Sequence, residues 1–188
     1  MAKRRTRFGQ ELEQALREAI AHQRGEIALS SRIVVRVGHL ADHPGILAPL
    51  AAAYERESPE WYGVHGDAMA DLRERSRRSG FPVGFVALED DVVIGTLAIS
   101  EKSVPSHPHL SPWIIGFWVE PSRRNRGVGA QLLAAACRHA RQQNIDPLYA
   151  ASAAASRLFV REGWSVIDTG TTDLGMKVNI LSKATAPP

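Results

Sequence analysis

Cysteine and long apolar runs are what this sequence most conspicuously lacks. Cys137 is the only cysteine in 188 residues, so no disulfide forms within the chain, and its helix-patterned surroundings predict a small buried side chain. No apolar run approaches the roughly 18 to 20 residues that a membrane-spanning helix needs. The basic start MAKRRTRF leads into a polar, Glu-rich stretch and not into the apolar segment of a signal peptide. We therefore expect a cytoplasmic protein with no membrane partner.

Most of the chain also lacks an excess of charge of one sign. Residues 1–32 carry seven Lys and Arg against four Asp and Glu, whereas residues 33–188 carry sixteen of each. The net charge of +3 therefore belongs to the N-terminal arm. That arm could contact nucleic acid or an acidic partner, but solvated basic termini are common, so we do not expect a nucleic-acid partner.

A helical pattern over residues 8–24 places large apolar side chains four residues apart, and Gly25 ends it. These side chains are Phe8, Leu12, Leu16 and Ile20. The pattern predicts a basic arm and amphipathic helix over residues 1–30, ahead of one domain over residues 31–184. Because an exposed apolar stripe is costly in water, the helix is a candidate contact between two copies in a homodimer.

Downstream of the arm, strand and helix patterns follow one another in the order βααβββαβαββ. This order predicts an α/β fold of the α+β kind, with a mixed sheet and helices on both of its faces. Asp90 and Asp91 join two adjacent strands as a hairpin, and Gly116 inside a strand indicates a bulge or a close approach of another group to the backbone. The predicted strands span 32–38, 85–90, 92–100, 113–121, 147–152, 164–170 and 175–181, and the predicted helices span about 43–56, 66–79, 127–142 and 153–162. The segments 57–63 and 102–112 are predicted loops.

The turn RRNRGVG, residues 123–129, joins a predicted strand directly to a predicted helix. The first N–H groups of a helix have no partner within it, and the helix dipole makes them attractive to an anion. Gly127 and Gly129 would let the backbone approach phosphate oxygens, and Arg124 and Arg126 would add charge-assisted hydrogen bonds. A dinucleotide fingerprint would need a third glycine at Leu132, and a nucleotide-binding P-loop would need Gly-Lys-Ser/Thr, so neither motif is present.

The passage WVEPSRRNRGVGAQLL resembles the coenzyme A signature of the GNAT superfamily of N-acetyltransferases, Arg/Gln-x-x-Gly-x-Gly/Ala. Val119 and Pro121 before the turn, and the run from Leu158-Phe159 to Gly163-Trp164, fall in the family's order. The resemblance covers roughly residues 32–181 and implies the GNAT fold with acetyl-CoA as co-substrate. It assigns these residues to acyl-CoA: Phe117, Trp118, Val119, Arg124, Asn125, Arg126, Gly127, Val128, Gly129, Ala130, Ser152 and Phe159.

In the implied geometry, the pyrophosphate lies on the backbone N–H groups of residues 125–130 and the pantetheine runs along residues 117–119 as an added strand. The acyl carbonyl then meets the backbone N–H near Phe117, which would stabilise the negative charge that develops on the thioester oxygen.

Three positions depart from the family pattern. Many relatives have a tyrosine at Phe159, an asparagine at Ser152 or a glutamate near Trp113. A phenyl ring cannot donate a proton, so the tyrosine route to general acid catalysis is closed at position 159. Because a thiol ionises near pH 8.5, the CoA thiolate remains a tolerable leaving group without it.

The candidates for proton transfer therefore lie in the flanking segments. His107, His109 and Ser111 precede one strand, and Glu57 and Glu60 lie in ESPEWYG. Of these we favour His109 and Glu60 as the base, because histidine and carboxylate are common general bases. Tyr149 is the alternative proton donor.

The sequence thus predicts an N-acetyltransferase that moves the acetyl group of acetyl-CoA directly to a primary amine of a small molecule or peptide. Two alternatives stay open. One is a catalytically weak module that binds CoA or a partner, and the other is a GNAT-type toxin acting on aminoacyl-tRNA. The spacing of the histidines matches no familiar metal-ligand set, so no metal is expected.

Overall fold

A seven-stranded sheet carries the fold in the computed structural model, which describes residues 35–63 and 66–186. Its strands are β1 (Arg36–His39), β2 (Val83–Glu89), β3 (Val92–Ser100), β4 (Trp113–Val119), β5 (Leu148–Ser152), β6 (Ser165–Thr171) and β7 (Lys177–Lys183). The helices are α1 (Leu47–Glu57), α2 (Pro59–Tyr62), α3 (Ala68–Arg75), α4 (Val128–Gln142) and α5 (Ser156–Arg161). The predicted strand residues 32–34 and the N-terminal arm and helix lie outside the described residues.

The sheet is mixed, as predicted. Its strand order is β1-β2-β3-β4-β5-β7-β6, and every neighbouring pair is antiparallel except β4 and β5. The predicted hairpin is also present, because β2 and β3 are joined by Asp90 and Asp91, whose φ angles are +47° and +67°. Two successive left-handed residues are typical of a tight two-residue hairpin turn, a conformation that Asp tolerates better than most residues.

Helices cover both faces of the sheet, and β2 shows why. Along β2, Val83, Phe85 and Ala87 pack in the cluster that contains α4 side chains. Val86 and Leu88 pack in a separate cluster with α1 and α3. Because successive side chains of a strand point to opposite faces, β2 is buried on both sides, which explains its nearly unbroken apolar sequence.

The helices differ from the sequence prediction mainly where proline and capping residues intervene. The segment PEWY was predicted as a loop, but Pro59 occupies the first turn of the short helix α2, where its missing N–H is not needed. Two 3₁₀ turns, Leu40–Asp42 and Pro44–Ile46, precede α1 and delay its start. Helix α3 is shorter than predicted at both ends. The Asp67 carboxylate caps its first turn by accepting from the Ala70 N–H, and the helix ends at Arg75, before Ser76, whose backbone is no longer helical.

Candidate functional site

The parallel strands β4 and β5 pair at one end only. Their register joins Trp113 to Tyr149 and Ile114 to Ala150, and no later pair joins the two strands in the described part of the chain. One edge of β4 is therefore open along residues 115–119. An open strand edge can hydrogen-bond an extended ligand in place of a neighbouring strand.

A groove of about 600 Å³ lies at the end of β4, between the turn that leads into α4 and helix α5. Eight of the twelve residues predicted to bind acyl-CoA line it. They are Phe117, Trp118, Val119, Arg124, Asn125, Gly127, Gly129 and Ala130. Arg157 and Arg161 of α5 line it as well, and they lie outside the motif.

The two glycines of the turn have different roles. Gly127 precedes α4 with φ +82°, and a Cβ built on it would meet no atom within 4 Å. Its left-handed conformation favours glycine, and the space above it is open to a ligand. Gly129 is required by packing instead, because its Cβ would lie 2.8 Å from Leu158 Cδ2 and 3.0 Å from Phe117 Cζ.

Four arginines give the groove its positive charge, and three of them have acidic neighbours. Arg123 Nε lies 2.5 Å from Glu89 Oε2. Arg124 donates from Nε to the Val119 carbonyl at 3.0 Å, and its Nη2 lies 3.4 Å from Glu57 Oε2. These bonds position Arg124 beside the open edge of β4.

The other two arginines that line the groove, Arg157 and Arg161, belong to α5. Arg161 Nε lies 3.6 Å from Glu162 Oε1, and both side chains of this pair are in contact with solvent. Arg157 is exposed and has no ion pair within residues 35–63 and 66–186. It is therefore the cation of the groove that is best placed to take an anionic group of a ligand.

Comparison with known proteins identifies the family. The family model described as "Acetyltransferase (GNAT) family" matches residues 50–164, which is more than half of the chain. The chain belongs to the GNAT acetyltransferase family. It is therefore an acyltransferase, and the family and fold that the sequence predicted are confirmed.

Solved structures of acetyltransferases share the GNAT fold at low sequence identity. An aminoglycoside 6'-N-acetyltransferase complexed with coenzyme A matches with a TM-score of 0.68 and 12% identity, covering 81% of this chain and 98% of that one. The aminoglycoside 6'-N-acetyltransferase from Enterococcus faecium gives a TM-score of 0.66 and 12% identity, covering 81% and 98%. A GNAT acetyltransferase from Staphylococcus aureus Mu50 gives 0.61 and 14%, covering 81% and 100%. No curated protein sequence matches the chain.

Four of the residues assigned to acyl-CoA do not line the GNAT groove. Val128 and Phe159 are each 2% exposed and belong to the core. Ser152 Oγ accepts from the Ala155 N–H at 2.9 Å, just before α5 begins. Arg126 is exposed and is not among the lining residues, although its neighbours Asn125 and Gly127 are.

Phe159 acts on the groove through packing. Its ring meets Phe117 edge-on at 5.6 Å and Trp164 edge-on at 5.1 Å. Since Phe117 lines the groove, Phe159 supports one wall from behind, and a buried phenyl ring needs no hydrogen-bond partner there.

The three residues predicted for proton transfer lie apart from the groove lining. His109 is exposed in the loop before β4, with its ring centroid 5.8 Å from that of His107. Glu60 is exposed on α2. Tyr149 is half-buried on β5, with its ring 5.7 Å from Trp113.

His107 holds the loop before β4 against the edge strand β6. Its ring is 8% exposed, its Nε2 lies 3.2 Å from Asp168 Oδ2, and its Nδ1 lies 2.9 Å from Ser106 Oγ. Hydrogen bonds from the Thr169 N–H and from His107 lower the pKa of Asp168. In the sheet, β6 lies three strands from β4, which is about 14 Å at the usual strand spacing. His107 therefore fixes the loop to β6 and does not lie at the open edge of β4.

The predicted bulge in β4 is confirmed at Gly116. The register with β3 shifts between Thr96 and Ala98, and Gly116 has φ +54°. The Tyr54 hydroxyl donates to the Gly116 carbonyl at 2.7 Å, and Arg75 Nη1 donates to Tyr54 Oη at 3.3 Å. No motif of the sequence marks Tyr54 or Arg75, and the only available signal was the bulge glycine itself.

The described residues hold neither a candidate metal site nor a candidate membrane span. Residues 35–63 and 66–186 contain no group of three His, Cys, Asp or Glu side chains placed to hold a metal ion. Over the same ranges, no helix has the length and apolar character needed to cross a membrane.

Proposed function

We propose that this enzyme transfers the acetyl group of acetyl-CoA directly to a primary amine within a ternary complex. The observation that carries the proposal is the groove, which runs from the open edge of β4 to the anion-attracting turn before α4. An acyl-CoA has the matching chemistry, since it combines an extended amide-bearing arm with a pyrophosphate.

The chain's own groups fit the two halves of that molecule. The backbone N–H groups of residues 125–130 would hold the pyrophosphate, because Gly127 leaves open space above the start of a 15-residue helix. Arg124 and Arg157 would add charge-assisted hydrogen bonds. Residues 117–119 would hydrogen-bond the pantetheine amides in the manner of an added strand.

The N–H of Phe117 is the proposed donor to the thioester oxygen. It follows the bulge residue Gly116, and neither residue has a register partner in β3. A fixed N–H aimed at an oxygen where negative charge develops is typically worth 10²–10³ in rate. The bound thioester supplies the activated acetyl carbon that an amine can attack.

Proton transfer is assigned to the flanking groups. His109 and Glu60 are the proposed acceptors of the amine proton, because both are exposed and would take that proton through water. Tyr149 is the proposed donor to the departing thiolate. The amine must arrive without its proton, so the reaction should speed up as the pH rises toward the range where the acceptor is neutral.

The acceptor is proposed to be a small molecule or a peptide that carries a primary amine. Two of the similar structures are named as aminoglycoside 6'-N-acetyltransferases, and aminoglycosides carry such amines. At 12% identity that likeness establishes the fold only, so it suggests which amines to test first.

The test is an amine screen with the full chain, acetyl-CoA and a thiol reagent that reports free CoA. Aminoglycosides, polyamines and peptides with free N-termini form the panel, and acetylated product is identified by mass. Thiol release that requires one amine class and yields its N-acetyl product supports the proposal. Tight acetyl-CoA binding without release for any amine would contradict it and favour the binding-module alternative, whereas transfer to aminoacyl-tRNA would favour the toxin.

A further inference from the structure

The peptide group between Gly116 and Phe117 is anchored from the face of the sheet that α1 and α3 cover. The Tyr54 side chain, 5% exposed, donates its hydroxyl proton to the Gly116 carbonyl at 2.7 Å. This peptide bond is trans, so its C=O and N–H point in opposite directions within one rigid plane. A hydrogen bond that fixes the Gly116 carbonyl therefore also fixes the direction of the Phe117 N–H.

Arg75 determines which way the Tyr54 hydroxyl points. Its Nη1 lies 3.3 Å from Tyr54 Oη, and a guanidinium can only donate. The Tyr54 oxygen must accept that bond, which directs the hydroxyl proton to the Gly116 carbonyl. Burial raises the pKa of Tyr54, so the hydroxyl keeps this proton throughout the neutral range.

Two residues keep Arg75 in place. Asp71 Oδ2 accepts from Arg75 Nη2 at 2.8 Å and from the Tyr62 hydroxyl at 3.0 Å. The rings of Tyr54 and Tyr62 stack with centroids 5.6 Å apart and planes 10° apart. Arg75 is only 9% exposed, and a buried guanidinium needs a partner of this kind. We call Tyr54, Tyr62, Asp71 and Arg75 the tyrosine–arginine cluster. It links α1, α2 and α3 next to the Gly116 carbonyl.

The cluster also changes the strength of the N–H on the other side of the peptide. A donor on an amide oxygen draws electron density toward that oxygen and makes the N–H of the same amide a better donor. Here the donating hydroxyl is itself polarised by the positive charge of Arg75. Two hydrogen bonds and one peptide group therefore connect Arg75, through Tyr54 and the Gly116 carbonyl, to the Phe117 N–H.

We propose that Tyr54 is a positioning residue for acetyl transfer, which aims and polarises the Phe117 N–H through the Gly116 carbonyl. The inference rests on the proposed function, in which that N–H donates to the thioester oxygen. Tyr54 acts through the peptide and needs no contact with substrate, so its removal should leave acetyl-CoA affinity in place while weakening the hydrogen bond to the acetyl carbonyl.

The test compares the full chain with its Tyr54→Phe variant, which keeps the ring and removes only the hydroxyl. Acetyl-CoA carrying ¹³C at the acetyl carbonyl is bound to each protein, and the isotope-edited infrared band of that carbonyl is recorded. In the variant the band should move to higher wavenumber, because a weaker hydrogen bond leaves the C=O bond stronger. The rate of thiol release at saturating amine should fall about tenfold, less than the 10²–10³ that deleting an oxyanion donor costs. The dissociation constant for acetyl-CoA should be unchanged.

A matched control and a second variant separate positioning from stability. Thr185→Val removes a comparable bond from a buried hydroxyl to a backbone carbonyl, that of Ile145, at a site that does not line the groove, and it should not move the band. Arg75→Gln removes the charge behind Tyr54 and should move the band in the same direction as Tyr54→Phe.

An unmoved band and an unchanged rate in both variants would overturn the inference, while amine-dependent thiol release by the wild-type chain would still support the proposed function. A wild-type chain that does not bind acetyl-CoA would overturn both.

Discussion

Gly116 lies so close to Arg75 that a Cβ built on the glycine would fall 2.2 Å from Arg75 Nη1 and 2.9 Å from Tyr54 Oη. Gly116 also has φ +54°, which side chains rarely adopt. The bulge in β4 and the tyrosine–arginine cluster therefore fit each other only when position 116 has no side chain. The backbone beside the proposed thioester site is set by residues from three helices that are distant in sequence.

Gly116→Ala should lower the free energy of unfolding by roughly 2–5 kcal/mol, because a left-handed non-glycine residue costs about 1–2 kcal/mol and overpacking adds about 1–3 kcal/mol. Urea denaturation measures this loss. Gly80→Ala is the matched control, since Gly80 has φ +73° and open space where its Cβ would lie. It should show the conformational cost alone, and equal losses in the two variants would refute the predicted clash with Arg75.

Arg157→Gln should weaken CoA binding. Arg157 lines the groove, is exposed and has no ion pair among the described residues, so its charge is free to contact a phosphate. An exposed charge pair is worth up to about 1 kcal/mol, or roughly fivefold in Kd. Calorimetric titration at low and high salt measures this effect, which should shrink as ionic strength rises.

Arg138→Gln is the control for that experiment, because Arg138 is exposed on α4 and does not line the groove. The affinity of the Arg138→Gln variant for CoA should match that of the wild-type chain. Equal weakening in the two variants would indicate a general charge effect and would contradict a contact at Arg157.

His139 should make the protein less stable in mild acid. It is 9% exposed on α4, with its ring 5.2 Å from His39 and 5.4 Å from Phe85. Burial, and secondarily the neighbouring His39, lowers the pKa of His139 below its ordinary value of 6.5. Below pH 6.5, His139 is protonated more readily in the unfolded chain than in the folded chain. The free energy of unfolding therefore falls as the pH drops from about 6.5 toward the lowered pKa.

Urea unfolding between pH 7.5 and pH 5 measures that slope. His139→Phe keeps an aromatic ring at the site and should remove this part of the slope, whereas His109→Gln, at an exposed position, should retain it. An unchanged slope in His139→Phe would show that His139 does not carry the effect.

The parts of the site that the sequence predicts are those encoded by neighbouring residues. The turn from β4 into α4 is local, and the left-handed Gly127 and the first helical N–H groups follow from a few adjacent residues. Gly116 marked the bulge for the same reason. The hairpin at Asp90 and Asp91 was equally local, because turn residues and alternating strands lie within one short segment.

The contacts that depend on the folded chain could not be predicted in this way. Tyr54 and Gly116 are 62 positions apart, and nothing in the segment around Tyr54 shows that its hydroxyl meets a β4 carbonyl. The orientation of α5, which turns Arg157 toward the groove, is likewise a result of packing. Gly129 shows that a motif residue can serve a different purpose from the expected one. It was expected to let phosphate approach the backbone, but the folded chain needs glycine there because a Cβ would clash with Leu158 and Phe117.

The turn before α4 is the proposed acyl-CoA site, and a calorimetric titration of the full chain with acetyl-CoA, beside Gly127→Glu and Gly80→Glu, tests it most directly. Both glycines have positive φ angles, +82° and +73°, and open space around a built Cβ, so each substitution places a side chain at a left-handed position without a clash. Only the carboxylate at position 127 would repel a pyrophosphate in the groove. Micromolar binding by the wild-type and Gly80→Glu chains, lost in Gly127→Glu, is the predicted result. No binding by the wild-type chain, or equal binding by all three, would contradict it.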